Sequence, residues 1–122
     1  MTVSEAIVNA DRLYPNTFTD EEKIGWLKKL DEKIQKELFA LYEDGARHPL
    51  PDYASMEDDV NLLIESPYDL LYLYELEFQM AYANRDKDVY QRAEIFYHNL
   101  YRAYELHYHR THKPISAKRF VF

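Results

Sequence analysis

Apolar residues recur along this chain at spacings of three and four, the period of a helix packed on one side. Leu27, Leu30, Ile34, Leu38 and Leu41 repeat in this way and predict an amphipathic helix over 20–43. Thr19-Asp20-Glu21-Glu22 stands at its start as a capping box: the threonine hydroxyl can accept the Glu22 amide while Glu22 reaches back. The acidic first turn also suits the positive end of the helix dipole. Gly25 falls inside this helix, where a close helix contact or a tolerated defect accounts for it. A shorter first helix over 3–13, with Ser4 as its cap, ends at Tyr14-Pro15-Asn16, because the residue before proline is pushed out of the helical region. Asp44-Gly45 closes the second helix, and Arg47-His48-Pro49-Leu50-Pro51 reads as a loop.

Residues 56–64 read as a short helix capped by Ser55. Ser66-Pro67-Tyr68-Asp69 reads as another start, with serine at the cap and proline in the first turn. The helix it opens, over 67–84, is apolar around most of its circumference, the profile of a central buried helix. Arg85-Asp86-Lys87-Asp88 is a polar turn that sends the last helix, 87–110, back antiparallel to it. On that last helix Val89, Ala93, Phe96, Leu100, Ala103 and His107 share a sector about 80° wide. Tyr90, Tyr97, Tyr101, Tyr104 and Tyr108 form an adjoining sector of about 60°. Together they suit burial against two neighbouring helices. The expected fold is all-α: a small helical bundle with two long helices and an extended C-terminal tail. Leu27, Leu30, Ile34, Leu38, Leu71, Phe78, Phe96 and Leu100 are the expected core.

The chain has 122 residues, 47% of them hydrophobic and 30% charged, which fits one packed domain rather than a disordered segment. Its densest apolar run, Leu70-Leu71-Tyr72-Leu73-Tyr74, is soon interrupted by Glu75 and Glu77, so no membrane span and no membrane partner are expected. Glu5 and Asp11 near the start do not fit a signal peptide. The lack of cysteine excludes disulfides, thiolate zinc sites and cysteine nucleophiles. Two glycines leave no phosphate-cradling loop.

Charge is divided along the chain. Through Asn84 there are 18 acidic and 7 basic residues, a balance of −11; from Arg85 onward, 4 acidic and 8 basic residues give +4. A dipolar chain suggests head-to-tail association or a basic end seeking an acidic partner, although solvated helix surface has the same look. The acidic bulk disfavours nonspecific DNA binding.

Chemistry is sparse. His107-Tyr108-His109-Arg110-Thr111-His112 is the one metal-like pattern, but on a helix His107 and His109 point about 160° apart. No metal or other cofactor is expected. The carboxylates Asp20-Glu21-Glu22 and Glu57-Asp58-Asp59 stand at expected helix starts, where the dipole accounts for them. No serine has a nucleophile-elbow context, so no catalytic residues are assigned and no enzyme is expected. The 12 tyrosines suit half-buried surfaces and interfaces, or a core whose hydroxyls reach solvent at its edge. Ile95 and Leu106 lie on the polar side of the last helix with Asn99 and Arg102 between them, and with Arg110 beyond they mark a contact face. The tail 114–122 ends in Lys118, Arg119, Phe120, Val121 and Phe122, an apolar-basic terminus suited to docking on another chain or back on its own helices.

Several of these segments together resemble a known family. Tyr14-Pro15-Asn16, Asp20-Glu21-Glu22-Lys23-Ile24-Gly25-Trp26-Leu27, Pro67-Tyr68-Asp69 with Leu73-Tyr74, and Tyr108-His109-Arg110-Thr111-His112-Lys113-Pro114 after a tyrosine-rich helix are similar to the small head-tail connector proteins of long-tailed phages and prophages of Gram-positive bacteria. The resemblance implies a helical adaptor over 1–113 that assembles as a ring, commonly twelvefold, beneath the portal protein. It also implies a docking surface for the next neck or tail protein. DNA would pass only as cargo, and an acidic channel wall would let it slide. The implied location is the head-tail interface of the virion, with the host cytoplasm as the site of assembly. Two other classes compete: a small acidic helical module that binds a regulatory protein partner, and a histidine-metal hydrolase.

Overall fold

The computed structural model describes residues 1–58 and 60–115, and there the chain is all-α. Helices α1 (Val3–Leu13), α2 (Asp20–Glu37), α3 (Leu70–Ala83) and α4 (Lys87–Thr111) are joined by two 3₁₀ turns and a long irregular connection before α3. Among the described residues no helix is long and apolar enough to cross a membrane.

Helix α1 is capped by Thr2 rather than by Ser4. The Thr2 hydroxyl accepts the Glu5 N–H at 3.2 Å, and the Glu5 carboxylate accepts the Thr2 N–H at 3.2 Å. Glutamate three residues on completes a box that Ser4 cannot, since Ile7 stands at its N3 position. Thr19 caps α2 as expected, its hydroxyl accepting the Glu22 N–H at 3.2 Å, but the expected box stays open: the Glu22 carboxylate accepts the Thr19 hydroxyl at 3.3 Å and not its N–H.

Helix α2 ends at Glu37, not at 43, and the chain tightens into a 3₁₀ turn over Phe39–Leu41. The tighter winding brings residues three apart onto one side. Phe39 and Tyr42 are thereby both buried, while Leu41 is 57% exposed. Phe39 stacks on Tyr108 of α4 at 4.6 Å, and Tyr108 stacks on His112 at 3.7 Å. Gly45 lies beneath this stack, where a Cβ would collide with the Tyr108 hydroxyl and the Phe39 carbonyl. Gly25 has open space around it, so no close helix contact explains it.

The short helix expected over 56–64 does not form. The Asp58 carboxylate accepts the N–H groups of Ala54 at 2.7 Å and Ser55 at 3.0 Å, a local turn that competes with helix. Residues 60–62 instead lie extended beside the start of α1: Val3 N–H donates to the Val60 carbonyl at 3.2 Å, and Leu62 N–H to the Met1 carbonyl at 2.9 Å. Tyr53, Leu62, Leu63 and Ile64 are buried, so this connection is part of the core. Ser66 does not cap a helix either. The Ser66–Pro67 peptide is cis, and α3 starts only after Asp69.

Helix α3 is central, with α1, α2 and α4 all packed on it. Leu71, Tyr72, Leu76, Met80 and Ala81 are fully enclosed. The chain leaves α3 through a Schellman turn: Asp86 N–H donates to the Ala81 carbonyl at 2.8 Å and Arg85 N–H to Tyr82 at 3.1 Å, with Arg85 at φ 57° in the left-handed region. Helix α4 therefore returns along α3, its main partner.

That single partnership decides which sector of α4 is buried. The tyrosine sector wins: Tyr97, Tyr104 and Tyr108 are buried with Ala93. Phe96, expected in the core, is 46% exposed, because no second helix covers its sector. Phe78 and Leu100 are only half-buried. Leu27, Leu30, Ile34, Leu38 and Leu71 lie in the core as expected.

Candidate functional site

Three places on this frame gather side chains in ways packing alone does not require. The first is the outward ridge of α4, opposite the buried tyrosines. A helix turns 100° per residue, which puts Ile95, Asn99, Arg102, Leu106 and Arg110 on one face. Ile95 is 58% and Leu106 49% exposed. Arg102 and Arg110 are exposed and make no ion pair among the described residues. Phe96 extends the ridge toward α3, where its ring lies 5.5 Å from Tyr74 and near the exposed Leu70. The four site residues assigned to α4 from sequence thus share one solvent-facing surface. The other five, Lys118, Arg119, Phe120, Val121 and Phe122, lie outside the described residues.

The second is a groove over α3, walled by α2 and α4. Leu30, Phe78 and Tyr97 give it apolar surface, and Lys33, Glu75 and His98 bring charge and polarity. Lys33 bridges the walls: its ammonium lies 3.4 Å from the Tyr97 hydroxyl and over the rings of Tyr97 and Tyr101 at 5.4 and 5.0 Å. Burial pushes the Glu75 carboxyl above its usual range, against the opposing pull of a Gln79 amide donor at 2.8 Å. Burial, and then the negative charge of Glu75, likewise push the Tyr97 hydroxyl well up.

The third is a buried polar hub. Asp31, 2% exposed on α2, accepts the hydroxyls of Tyr72 on α3 and of Tyr53 in the long connection, the latter at 3.1 Å. The Tyr72 oxygen in turn accepts the Ile64 N–H at 2.7 Å. Burial raises the Asp31 carboxyl to about 6, against the lowering effect of its hydrogen bonds. Every polar atom here has a partner inside the protein, so the hub fastens the connection to α2 and α3. A small pocket lined by Lys28, Asp31, Glu32 and Tyr53 opens beside it.

The histidines do not converge. His107 lies against Tyr68 at 5.0 Å, His109 Nδ1 is 3.0 Å from the Tyr42 hydroxyl, and His112 stacks on Tyr108. Among the described residues no group of three or more His, Asp or Glu could hold a metal ion. Sequence reasoning missed the groove and the hub. Asp31 did leave a signal, since it sits within the apolar repeat of Leu27, Leu30 and Ile34, where a charge needs a reason. Comparison of the chain with protein-family models, curated proteins and solved structures gave no match.

Proposed function

We propose that this chain is a structural, non-catalytic adaptor of the phage head-tail connector kind: a small helical bundle with two long helices, α2 and α4, that assembles into a ring. The observation that carries the reading is the uncovered ridge of α4, where Ile95 and Leu106 face solvent beside Arg102 and Arg110, which make no ion pair among the described residues. Apolar side chains ringed by arginine suit an interface core, and arginine is enriched in such surfaces. From Ile95 to Arg110 the ridge carries two arginines against one neighbouring exposed acid, Glu105, so pairing it with itself leaves arginine set against arginine. It fits a different, acidic surface, which makes the contact heterologous, the kind that closes into rings. The −11 balance of the first 84 residues supplies such a surface on a second copy. The sequence resemblance adds the portal protein above the ring and a neck or tail protein below it, with DNA as passing cargo, at the head-tail interface of a virion assembled in the host cytoplasm.

The test is reconstitution with the portal protein encoded in the same gene neighbourhood, read by native mass spectrometry and electron microscopy. A ring of this chain seated on the portal is the expected result. The groove over α3 favours a second reading, a small acidic module that binds a regulatory protein partner. A chain that stays monomeric beside portal rings, and comes from a neighbourhood without capsid or tail genes, would favour that reading.

A further inference from the structure

The groove over α3 is open, and the backbone at the end of the described chain is aimed at it. After α4, residues 113–115 run antiparallel to 41–43: Glu43 N–H donates to the Lys113 carbonyl at 3.0 Å and Ile115 N–H to the Leu41 carbonyl at 2.9 Å. Tyr42 and Pro114 form the bridge between these bonds. Antiparallel pairing fixes a heading, because each later residue on one side lies beside an earlier residue on the other. Beyond Ile115, beside Leu41, that heading leads past Ala40 and Phe39 and back along α2.

The distances suit the same destination. From Leu41 to Glu37 the 3₁₀ turn spans about 8 Å, and from Glu37 to Lys33 one turn of α2 adds about 6 Å. Seven residues follow Ile115, and extended at about 3.3 Å each they reach about 23 Å. Their chemistry, Ser-Ala-Lys-Arg-Phe-Val-Phe, complements the groove. The carboxylates of Glu75 and Glu94 line it and those of Glu37 and Glu105 stand at its near end, against the cations of Lys29, Lys33 and, beside Glu105, Arg102. Leu30, Phe78 and Tyr97 offer surface for an aromatic ring.

We propose that the occupant of this groove is the chain's own C-terminal segment, residues 116–122, with Lys118 and Arg119 toward the carboxylates and the rings of Phe120 and Phe122 toward Leu30, Phe78 and Tyr97. The proposal does not rest on the adaptor reading; a chain that never forms a ring can fill its own groove.

The absence of cysteine makes the test clean. In the full chain, Lys33→Cys with Phe120→Cys places one thiol at the groove and one in the segment; Lys33 is exposed, and Phe122 keeps one ring for docking. The control pairs Phe120→Cys with Val8→Cys, on the exposed side of α1. Under mild oxidation in dilute solution, the first pair should form a disulfide within one chain at least tenfold faster than the control. A disulfide between chains, equal rates for the two pairs, or no disulfide would overturn the proposal. As a second readout, Phe120→Ala with Phe122→Ala should shift the nuclear magnetic resonance signals of the Tyr97 and His98 rings. Unmoved signals there would equally overturn it.

Discussion

Asp31 and Tyr72, 41 residues apart in the sequence and on different helices, share a hydrogen bond in the interior of the protein. Both are enclosed, and Tyr53 and the Ile64 N–H complete the cluster. Burial holds the Asp31 carboxyl at about 6, above its ordinary 3.8. Between those two values the folded protein binds more protons than the unfolded chain, so stability rises as pH falls through this window. Raised Glu75 acts with the same sign.

The first expected outcome follows. Thermal unfolding followed by circular dichroism should give a higher melting temperature at pH 5 than at pH 7, with Asp31 contributing about 1 kcal/mol of the difference. Asp31→Asn should flatten that slope; an unchanged slope would place its source elsewhere. Tyr72→Phe should cost about 2–5 kcal/mol at pH 7, because it leaves both the carboxylate and the Ile64 N–H short of a partner.

The two glycines should respond in opposite directions. Gly25→Ala, in open space within α2, should stabilise by about 0.5–1 kcal/mol through helix propensity. Gly45→Ala drives a methyl into a backbone carbonyl and the Tyr108 hydroxyl, and should cost about 1–3 kcal/mol. Denaturant midpoints of the two variants decide both signs.

Truncations across the α3–α4 interface should separate the buried from the exposed sector. Leu71→Ala, at a fully enclosed site, should cost about 2–5 kcal/mol. Phe96→Ala, at a site 46% exposed, should cost only about 1–2 kcal/mol. Equal losses in urea unfolding would mean that the Phe96 sector is covered in solution.

The ridge of α4 can be tested without harming the fold. Ile95→Asp with Leu106→Asp should leave stability within about 1 kcal/mol, since both side chains already face solvent. The same pair should abolish incorporation into portal-bound rings, measured by sedimentation. Normal incorporation would remove this face from the assembly.

Much of the helical layout was legible because its signals are local. The Thr19 cap, the proline after Tyr14 and the repeat from Leu27 to Leu38 each act within a few residues. What escaped depends on partners far away in sequence. Helix α2 stops early because Phe39 and Tyr42 turn toward Tyr108, and nothing near residue 39 announces that. The 56–64 segment had a cap candidate in Ser55, but the Asp58 side chain and the start of α1 took its backbone hydrogen bonds. On α4 two apolar sectors adjoin, and only the number of covering helices chooses between them. The α4 face of the candidate site could be read from residues that break its stripe. The groove could not, because three helices build it and none carries it alone.

The two short backbone contacts, 1–3 with 60–62 and 41–43 with 113–115, also bear on the order of folding. Helices α3 and α4 are neighbours in sequence and can meet early, at little loop-closure cost. The two contacts join distant stretches and reward the chain only after long loops have closed, so they form late. A lesion in the second contact, such as Ile115→Pro, which removes the N–H donated to Leu41, should act after the rate-limiting step. It should speed unfolding while leaving refolding nearly unchanged.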